Sequence, residues 1–170
     1  MSRDRIYRII DEIIERERGY VDHPADKGGP TNYGITQATL ADWRGHPVTP
    51  DDVRRMDRKE SVKIYWRRYV RDPGFFHIAN DRLAEHVVDC GVLHGPQRAV
   101  RWLQGIVGEV EDGIFGPRSQ AAVSDGTLLP EEISKELVKK RVLFMANIVV
   151  KDHSQIVFLR GWIKRALSFL

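Results

Sequence analysis

The sequence has very little cysteine and no long hydrophobic run, and each shortage excludes a class of protein. Its single cysteine, Cys90, excludes an intramolecular disulfide and is typical of synthesis in a reducing compartment. The apolar runs fall short of the roughly 18 residues that a membrane span needs. The opening MSRDRIYRII lacks the apolar core and small-residue cleavage site of a signal peptide. We therefore expect a protein that is made in a cytoplasm and carries no classical export signal.

The bulk composition is that of a soluble globular protein with a mild excess of positive charge. The chain of 170 residues is 42% hydrophobic and 30% charged, which is enough to bury the core of one domain. Its net charge of +3 suits an anionic partner such as a cell wall, a membrane surface or a nucleic acid. Charge alone does not choose among these partners.

Apolar residues recur at helical spacing along almost the whole chain. Five isoleucines near the start alternate with charged side chains, so we predict an amphipathic helix over residues 3–18 that Gly19 terminates. Residues 20–35 hold too many Gly, Pro, Asp and Asn residues for a helix and predict a loop or small β-hairpin. Capping residues and periodicity predict further helices over residues 36–43, from 50 onward, 58–70, 81–94, 96–107, 117–124, 130–150 and 154–168. The sequence therefore predicts a mainly α fold with a small β element after the first helix.

Two glutamates near the end of the first predicted helix have different surroundings. On a helical wheel Glu15 lies opposite the isoleucines, where a charge is solvated, whereas Glu17 falls near the middle of the isoleucine cluster. A carboxyl group on an apolar face is desolvated, which raises its pKa and suits a general acid near neutral pH. If the helix ends before Glu17, that side chain is an ordinary solvated or capping group. We single out Glu17 as the candidate general acid and keep the second interpretation open.

The segment after this helix supplies further polar groups. Asp26 follows Glu17 by nine residues, across a turn that could bring two carboxyl groups into one cleft. Glycoside hydrolysis typically uses such a pair, one to protonate the leaving oxygen and one as base or nucleophile. Thr31 and Thr36 could instead position a water. An aspartate before a glycine-rich turn is also ordinary turn chemistry, so both interpretations of Asp26 stay open.

The stretch ERGYVDHPADKGGPTNYGIT, residues 17–36, resembles the opening motif of glycoside hydrolase family 108, a lysozyme-like family of bacterial and phage muramidases. The likeness continues in order through IYWRRYV, VVDCGVLHGPQRAVRWLQ, DGIFGPRSQAAV and FLRGWIKR, and so covers nearly the whole chain. Three positions depart from the family pattern: Arg18 stands where Gly is usual, Leu93 where Asn is expected and Ser119 where Thr is usual. Position 17 keeps the glutamate of the family pattern.

The resemblance implies a fold, an activity and a set of site residues. The fold is a single lysozyme-like domain, with a catalytic part over residues 1–80 and a peptidoglycan-binding-like helical part over residues 81–170. The activity is cleavage of the β-1,4 bond between N-acetylmuramic acid and N-acetylglucosamine of bacterial peptidoglycan, with Glu17 as general acid. Asp26 and Thr31 match the family's second polar groups. The positions expected to bind the glycan are Tyr20, Tyr33, Thr36 and Arg18.

Two other constellations suggest different chemistry. His86, Cys90 and His94 recur every four residues on a predicted helix and could present metal ligands, but recognised zinc spacing is lacking and a buried structural cysteine is favoured. Aromatic and basic residues over 65–69 could stack nucleic-acid bases, yet no nucleic-acid-binding motif accompanies them. We therefore predict no metal, no cofactor and no nucleic-acid partner.

The C-terminal segment QIVFLRGWIKRALSFL predicts a basic amphipathic helix. Five apolar residues can share one face, namely Ile156, Leu159, Ile163, Leu167 and Leu170. That face would either pack on the core or contact an anionic inner or outer membrane. Because a glycine in the middle weakens an isolated helix, packing is favoured and membrane contact stays open.

A small basic muramidase without a signal peptide resembles a phage endolysin. We expect it to be made in the host cytoplasm, to act on peptidoglycan in the periplasm and to be a monomer. A holin or its own terminal helix would open the route to the wall. Two functions from other classes remain alternatives: a non-catalytic cell-wall-binding protein, and a membrane-active lysis protein whose C-terminal helix would still act without Glu17.

Overall fold

The computed structural model describes residues 3–16, 19–22 and 29–170, and its fold is mainly α with a small antiparallel sheet, as predicted. The elements in chain order are α1 (Arg3–Arg16), β1 (Tyr20–Val21), β2 (Thr31–Asn32), β3 (Ile35–Thr36), α2 (Gln37–Arg44), α3 (Pro50–Arg55), α4 (Arg58–Tyr65), α5 (Asp81–His94), α6 (Pro96–Ile106), α7 (Pro117–Ser124), α8 (Pro130–Lys151) and α9 (Ile156–Leu167). A π-helical segment (Trp66–Arg71) and two 3₁₀ turns (Phe75–His77 and His153–Gln155) complete them. The chain divides into two compact units, which we call the N-terminal unit (residues 2–70) and the C-terminal unit (residues 71–170). Among the described helices, none is both long and apolar enough to cross a bilayer.

The N-terminal unit is built on the amphipathic helix α1. Ile10, Ile13 and Ile14 are fully buried, and α1 packs against α4, so the predicted isoleucine stripe is the core-facing side of this helix. Within the described residues α1 extends to Arg16, and the last two positions of the predicted helix lie outside them. Gly19 follows with φ +82°, a left-handed conformation that glycine adopts without strain and that suits a helix end.

The small sheet is a three-stranded antiparallel meander in the order β1-β2-β3. Tyr33 and Gly34 join β2 to β3 as a two-residue turn, and both have positive φ, 51° and 73°. Positive φ at both central residues is the type I′ geometry that matches the twist of a tight hairpin. The glycine accepts this conformation easily, whereas the tyrosine is held in it by its surroundings.

Helix starts in the N-terminal unit follow the predicted caps. The Thr36 hydroxyl accepts a hydrogen bond from the Thr39 amide at 3.2 Å and begins α2. Thr49 and Asp52 form a capping box at α3, with Pro50 in the first turn. The predicted helix 58–70 differs in detail, because α4 ends at Tyr65 and the chain continues as the π-helical segment. Side-chain periodicity cannot reveal a change of hydrogen-bond pattern of this kind.

The C-terminal unit is a set of longer helices in which α5 packs against α6 and α8, and α8 packs against α9. Its helices begin and end within a few residues of their predicted limits. The predicted packing of α9 is confirmed, but only two residues of the predicted face, Leu159 and Ile163, contact the core, together with Trp162 and Ala166. Three residues of the predicted face are largely exposed: Ile156 (59%), Leu167 (47%) and Leu170 (56%).

Candidate active site

The N-terminal unit holds the predicted site positions, and three of them lie outside the described residues: the catalytic candidates Glu17 and Asp26 and the glycan-binding candidate Arg18. The described chain brackets Glu17 closely, because α1 ends one residue before it and β1 begins three residues after it. The apolar face of α1 is buried as far as Ile14, while Glu15 is exposed as the wheel predicted.

The strand register determines on which face of the sheet each of the other predicted site residues lies. Thr31 pairs directly with Thr36 across β2 and β3, and with Val21 across β1 and β2. Directly paired residues project from the same face, so both threonines lie together on the face that carries the half-exposed Val21. Tyr20 lies on the opposite face, where Asn32 and Ile35 are buried.

Both threonine hydroxyls already have local partners. Thr31 Oγ1 donates to the Gly29 carbonyl at 3.2 Å. Thr36 Oγ1 accepts from the Thr39 amide and donates to the Thr39 hydroxyl at 3.1 Å. These bonds fix where the two oxygens lie, and each hydroxyl keeps acceptor capacity on a second lone pair. Their roles in catalysis and glycan binding remain predictions.

Tyr33 is positioned through its backbone as well as its turn. Tyr65 on α4 donates its hydroxyl to the Tyr33 carbonyl at 3.0 Å, and the two rings of Tyr65 and Tyr69 lie 5.4 Å apart. On the neighbouring residue, the buried Asn32 amide donates to the Val53 carbonyl at 3.0 Å and to that of Arg54 at 3.2 Å. The hairpin is therefore tied to both α3 and α4.

Tyr20 is fixed by two contacts at the edge of the sheet. Its hydroxyl donates to Asp22 Oδ2 at 3.0 Å, and the Arg54 guanidinium lies 4.6 Å from its ring centroid, within cation–π range. Three residues that hold the hairpin are not evident from the sequence: Asn32, Arg54 and Tyr65. The only available signal was a polar Asn in front of a tight turn, because their partners are 21 to 34 residues away in sequence.

The residues considered as metal ligands, His86, Cys90 and His94, lie on α5 in the C-terminal unit, where they contact other protein groups. His86 Nδ1 is 2.6 Å from the Ser134 hydroxyl, and its ring stacks on Phe169 with centroids 4.3 Å apart. Cys90 is a fully buried core residue, as favoured, and burial raises the pKa of its thiol to about 12. No group of three His, Cys, Asp or Glu side chains within the described ranges is arranged to hold a metal ion.

A cluster of buried charged residues lies next to these α5 side chains. Asp89 is fully buried and accepts hydrogen bonds from Arg141 Nη2 at 2.7 Å and from Arg165 Nε at 3.0 Å. Burial, together with the nearby Arg141, lowers the pKa of His86 to about 3 and that of His94 to about 4. Both imidazoles are therefore neutral near pH 7 and complete a structural cluster that links α5, α8 and α9.

Known families match both halves of the chain. A family model described as Glycosyl hydrolase 108 matches residues 10–95, and a second, described as Predicted Peptidoglycan domain, matches residues 98–167. The solved structure of Brucella abortus SagA is similar, with a TM-score of 0.80 and 29% sequence identity over 99% of this chain and 97% of that chain. No curated protein matches. The first family match spans Glu17 and Asp26 together with the whole hairpin.

Proposed function

We propose that this chain, which belongs to the glycosyl hydrolase 108 family, cleaves the β-1,4 bond between N-acetylmuramic acid and N-acetylglucosamine and uses Glu17 as its general acid. Family membership makes the chain a glycoside hydrolase with a mainly α, lysozyme-like fold. The second family match, over residues 98–167, makes it a peptidoglycan hydrolase. The bond that is cleaved and the role of Glu17 are the steps that go beyond these findings.

The observation that carries the proposal is the buried face of α1. Ile10 and Ile13 are fully buried, and Glu17 follows them by seven and four residues. On a continuous helix, positions at that spacing share one face. A carboxyl group beside such a face is desolvated and remains protonated closer to neutral pH, as a general acid requires. Glu15, by contrast, is exposed and cannot be desolvated in this way.

The proposed reaction begins with proton transfer from neutral Glu17 to the glycosidic oxygen while the C1–O bond breaks. The sugar that is left has oxocarbenium character, and a water adds to its C1 carbon from the other side. That water loses a proton to the ionised Asp26, which is the base in the proposal; where Thr31 alone positions the water, the proton passes to solvent. In a less favoured variant Asp26 itself attacks C1.

The hairpin would shape the sugar site around this chemistry. Thr31 and Thr36 lie side by side on one face of the sheet, and Tyr33 extends from the turn between their strands. The hydrogen bonds of Asn32 and Tyr65 hold that turn, which supports a site with little reorganisation on binding. Tyr20 and Arg18, close to Glu17 in sequence, are proposed to contact neighbouring sugars.

The biological setting belongs to the same proposal. We propose a phage endolysin that is made as a monomer in the host cytoplasm and degrades the wall in the periplasm. Membrane contact by α9 is a second candidate role, because Val157 and Ile156 are exposed beside Arg160 and Lys164 on this helix. Such a basic and apolar surface suits an anionic bilayer.

The test compares the wild type with Glu17→Gln on purified peptidoglycan, followed by mass spectrometry of the released fragments. We expect the wild type to release fragments that end in reducing N-acetylmuramic acid, and the variant to lose at least about a hundredfold in rate because the acid is gone. Glu15→Gln is the matched control and should keep full activity, since its carboxylate is exposed on α1.

Two outcomes would contradict the proposal in different ways. A wild type that sediments with peptidoglycan but releases no fragments would make the chain a binding protein. Lysis of dye-loaded anionic vesicles at equal rates by the wild type and by Glu17→Gln, without fragment release, would favour the membrane-active alternative.

A further inference from the structure

A polar groove lies in the C-terminal unit, away from the residues used above. Its volume is about 530 Å³, within the range of small-molecule sites. The groove follows the start of α6 and is closed on one side by the turn after that helix. Its side chains, which define what we call the α6 groove, are His94, Gln97, Arg98, Arg101, Trp102 and Glu111.

Several polar groups of the α6 groove have no protein partner among the described residues. His94 Nε2 is buried without a hydrogen bond. The Arg101 guanidinium, the Trp102 indole N–H and the Glu111 carboxylate form no hydrogen bond or ion pair with the described chain. Arg101 and Glu111 are exposed and can therefore pair with a charged ligand, whereas the buried His94 Nε2 is the group whose hydrogen bond a ligand or water in the groove would supply.

The walls of the groove are rigid. The rings of His94, Trp102 and Phe144 contact one another with centroids 5.2 to 5.6 Å apart, so the indole has a fixed orientation. Arg98 lies 4.4 Å above the Phe144 ring and donates to the His94 carbonyl at 2.7 Å. Its guanidinium is therefore held at the mouth of the groove before any ligand arrives.

The charges of the groove are arranged along α6. Arg98 and Arg101 are three residues apart and project from one side of the helix. The Glu111 carboxylate lies against α6 one turn further on, where a Cβ at position 105 would collide with it. Gly105 thus leaves room for this carboxylate. Two cations and one anion follow one another over about two turns of helix.

We infer that the α6 groove binds the peptide stem of peptidoglycan, with Arg98 and Arg101 on its carboxylates and Glu111 on an amino group. This inference rests on the proposed function, because it presupposes that the chain acts on peptidoglycan. Glycan strands stripped of peptide carry only one lactyl carboxylate per disaccharide and no amino group, so they offer a partner to the guanidinium groups but none to Glu111. Stems carry carboxylates and, in the diaminopimelate type, an amino group as well. Charge-assisted pairs of both signs therefore match the stem.

The test measures binding of the free tetrapeptide L-Ala-γ-D-Glu-diaminopimelate-D-Ala to the full chain by titration calorimetry. The peptide contains no glycosidic bond, so its binding can be read whether or not the chain proves to be a muramidase. We expect Arg101→Gln and Glu111→Gln each to weaken binding by about tenfold, since each removes one charge-assisted pair. Arg160→Gln, which removes an exposed cation of α9, is the matched control and should leave binding unchanged.

A second measurement separates the stem from the sugar backbone. The soluble disaccharide of N-acetylglucosamine and N-acetylmuramic acid that keeps its stem should bind the wild type more tightly than the same disaccharide from which an amidase has removed the stem. Glu111→Gln should reduce this difference, because only the stem supplies an amino group. Equal binding of both disaccharides, failure of the tetrapeptide to bind, or an equal loss in Arg160→Gln would overturn the inference.

Discussion

The two units of this protein differ in their buried charge. In the N-terminal unit the buried polar side chains that the structure describes are neutral and bond to backbone carbonyls, as Asn32 does to α3 and Tyr65 does to the hairpin turn. The C-terminal unit also buries neutral side chains such as Gln104 and Ser134. It adds a buried carboxylate, Asp89, which holds the cations Arg141 and Arg165. The first arrangement orients a turn that carries site residues, whereas the second connects three helices.

This difference has an energetic consequence. A neutral hydrogen bond to a backbone carbonyl contributes about 1 kcal/mol, and its loss is local. A buried ion cluster gains little over an apolar core, but the removal of one member leaves the others desolvated without compensation. Arg141 already has Nε and Nη1 buried without a hydrogen-bond partner in the part of the chain that the structure describes, so the cluster has no spare acceptor there. The C-terminal unit is therefore the one that we expect to be sensitive to single changes of charge.

The largest effect is predicted for Asp89→Asn. This nearly isosteric change removes the anion between two arginines, and we expect it to lower the free energy of unfolding by about 3–5 kcal/mol. Urea unfolding followed by tryptophan fluorescence measures the loss. Asp11→Asn is the matched control in the N-terminal unit, where Asp11 pairs with Arg58 at 2.8 Å and both side chains are 44% exposed. It should cost less than about 1 kcal/mol, and equal losses in the two variants would contradict the contrast between the units.

The same contrast explains how far the sequence could predict the fold. Several helices are capped by hydrogen bonds to amides three residues away, as at Thr36, Asp57 and Asn80. The starts of those helices can therefore be predicted from neighbouring residues. Asp89 meets its arginines 52 and 76 residues further along the chain, and no local pattern reveals such a cluster. The buried face of α9 was predicted only in part for a similar reason, because packing against α8 decides which side of this apolar helix is buried.

Some features of the candidate site likewise follow from neighbouring residues, whereas others depend on residues distant in sequence. The turn residues Tyr33 and Gly34 follow from local chemistry, and the hairpin was predicted. The register that puts Thr31 beside Thr36 and Tyr20 on the other face depends on pairing across the chain. A shift of one residue in the strand register would move each side chain to the opposite face of the sheet. Composition cannot decide between the two registers.

An effect of intermediate size on the free energy of unfolding is predicted for a change of pH. Burial, aided by Arg141, lowers the pKa of His86 to about 3 in the folded state, below the ordinary value of 6.5. Below pH 6.5 the unfolded chain binds a proton that the folded chain does not, so stability is fully present above that pH and falls as the pH is lowered towards 3. Between pH 7 and pH 5 the loss from His86 is about 2 kcal/mol. His94, whose pKa is lowered in the same direction, adds to it.

Urea unfolding at both pH values tests this prediction. His86→Gln should reduce the pH dependence, whereas His46→Gln, at an exposed position in the N-terminal unit, should preserve it. An unchanged slope in His86→Gln would show that other groups carry the titration. The carboxylates whose pKa is lowered, Asp52 and Asp112, lose their contribution only below their usual range and do not interfere in this window.

The smallest effect is predicted for Thr36, which serves both as a helix cap and as a proposed glycan contact. Thr36→Ala removes the bond to the Thr39 amide and should cost about 1 kcal/mol of unfolding free energy. If the hydroxyl also contacts the glycan, KM for soluble peptidoglycan fragments rises as well, and we expect this rise. Thr39→Ala keeps the cap and removes only the side-chain partner of Thr36, so it should change neither quantity much. Thr36→Ser should restore both, because the cap and the proposed contact use the same oxygen. A loss of stability at unchanged KM would limit Thr36 to capping and leave Thr31 as the threonine of that face available to the substrate.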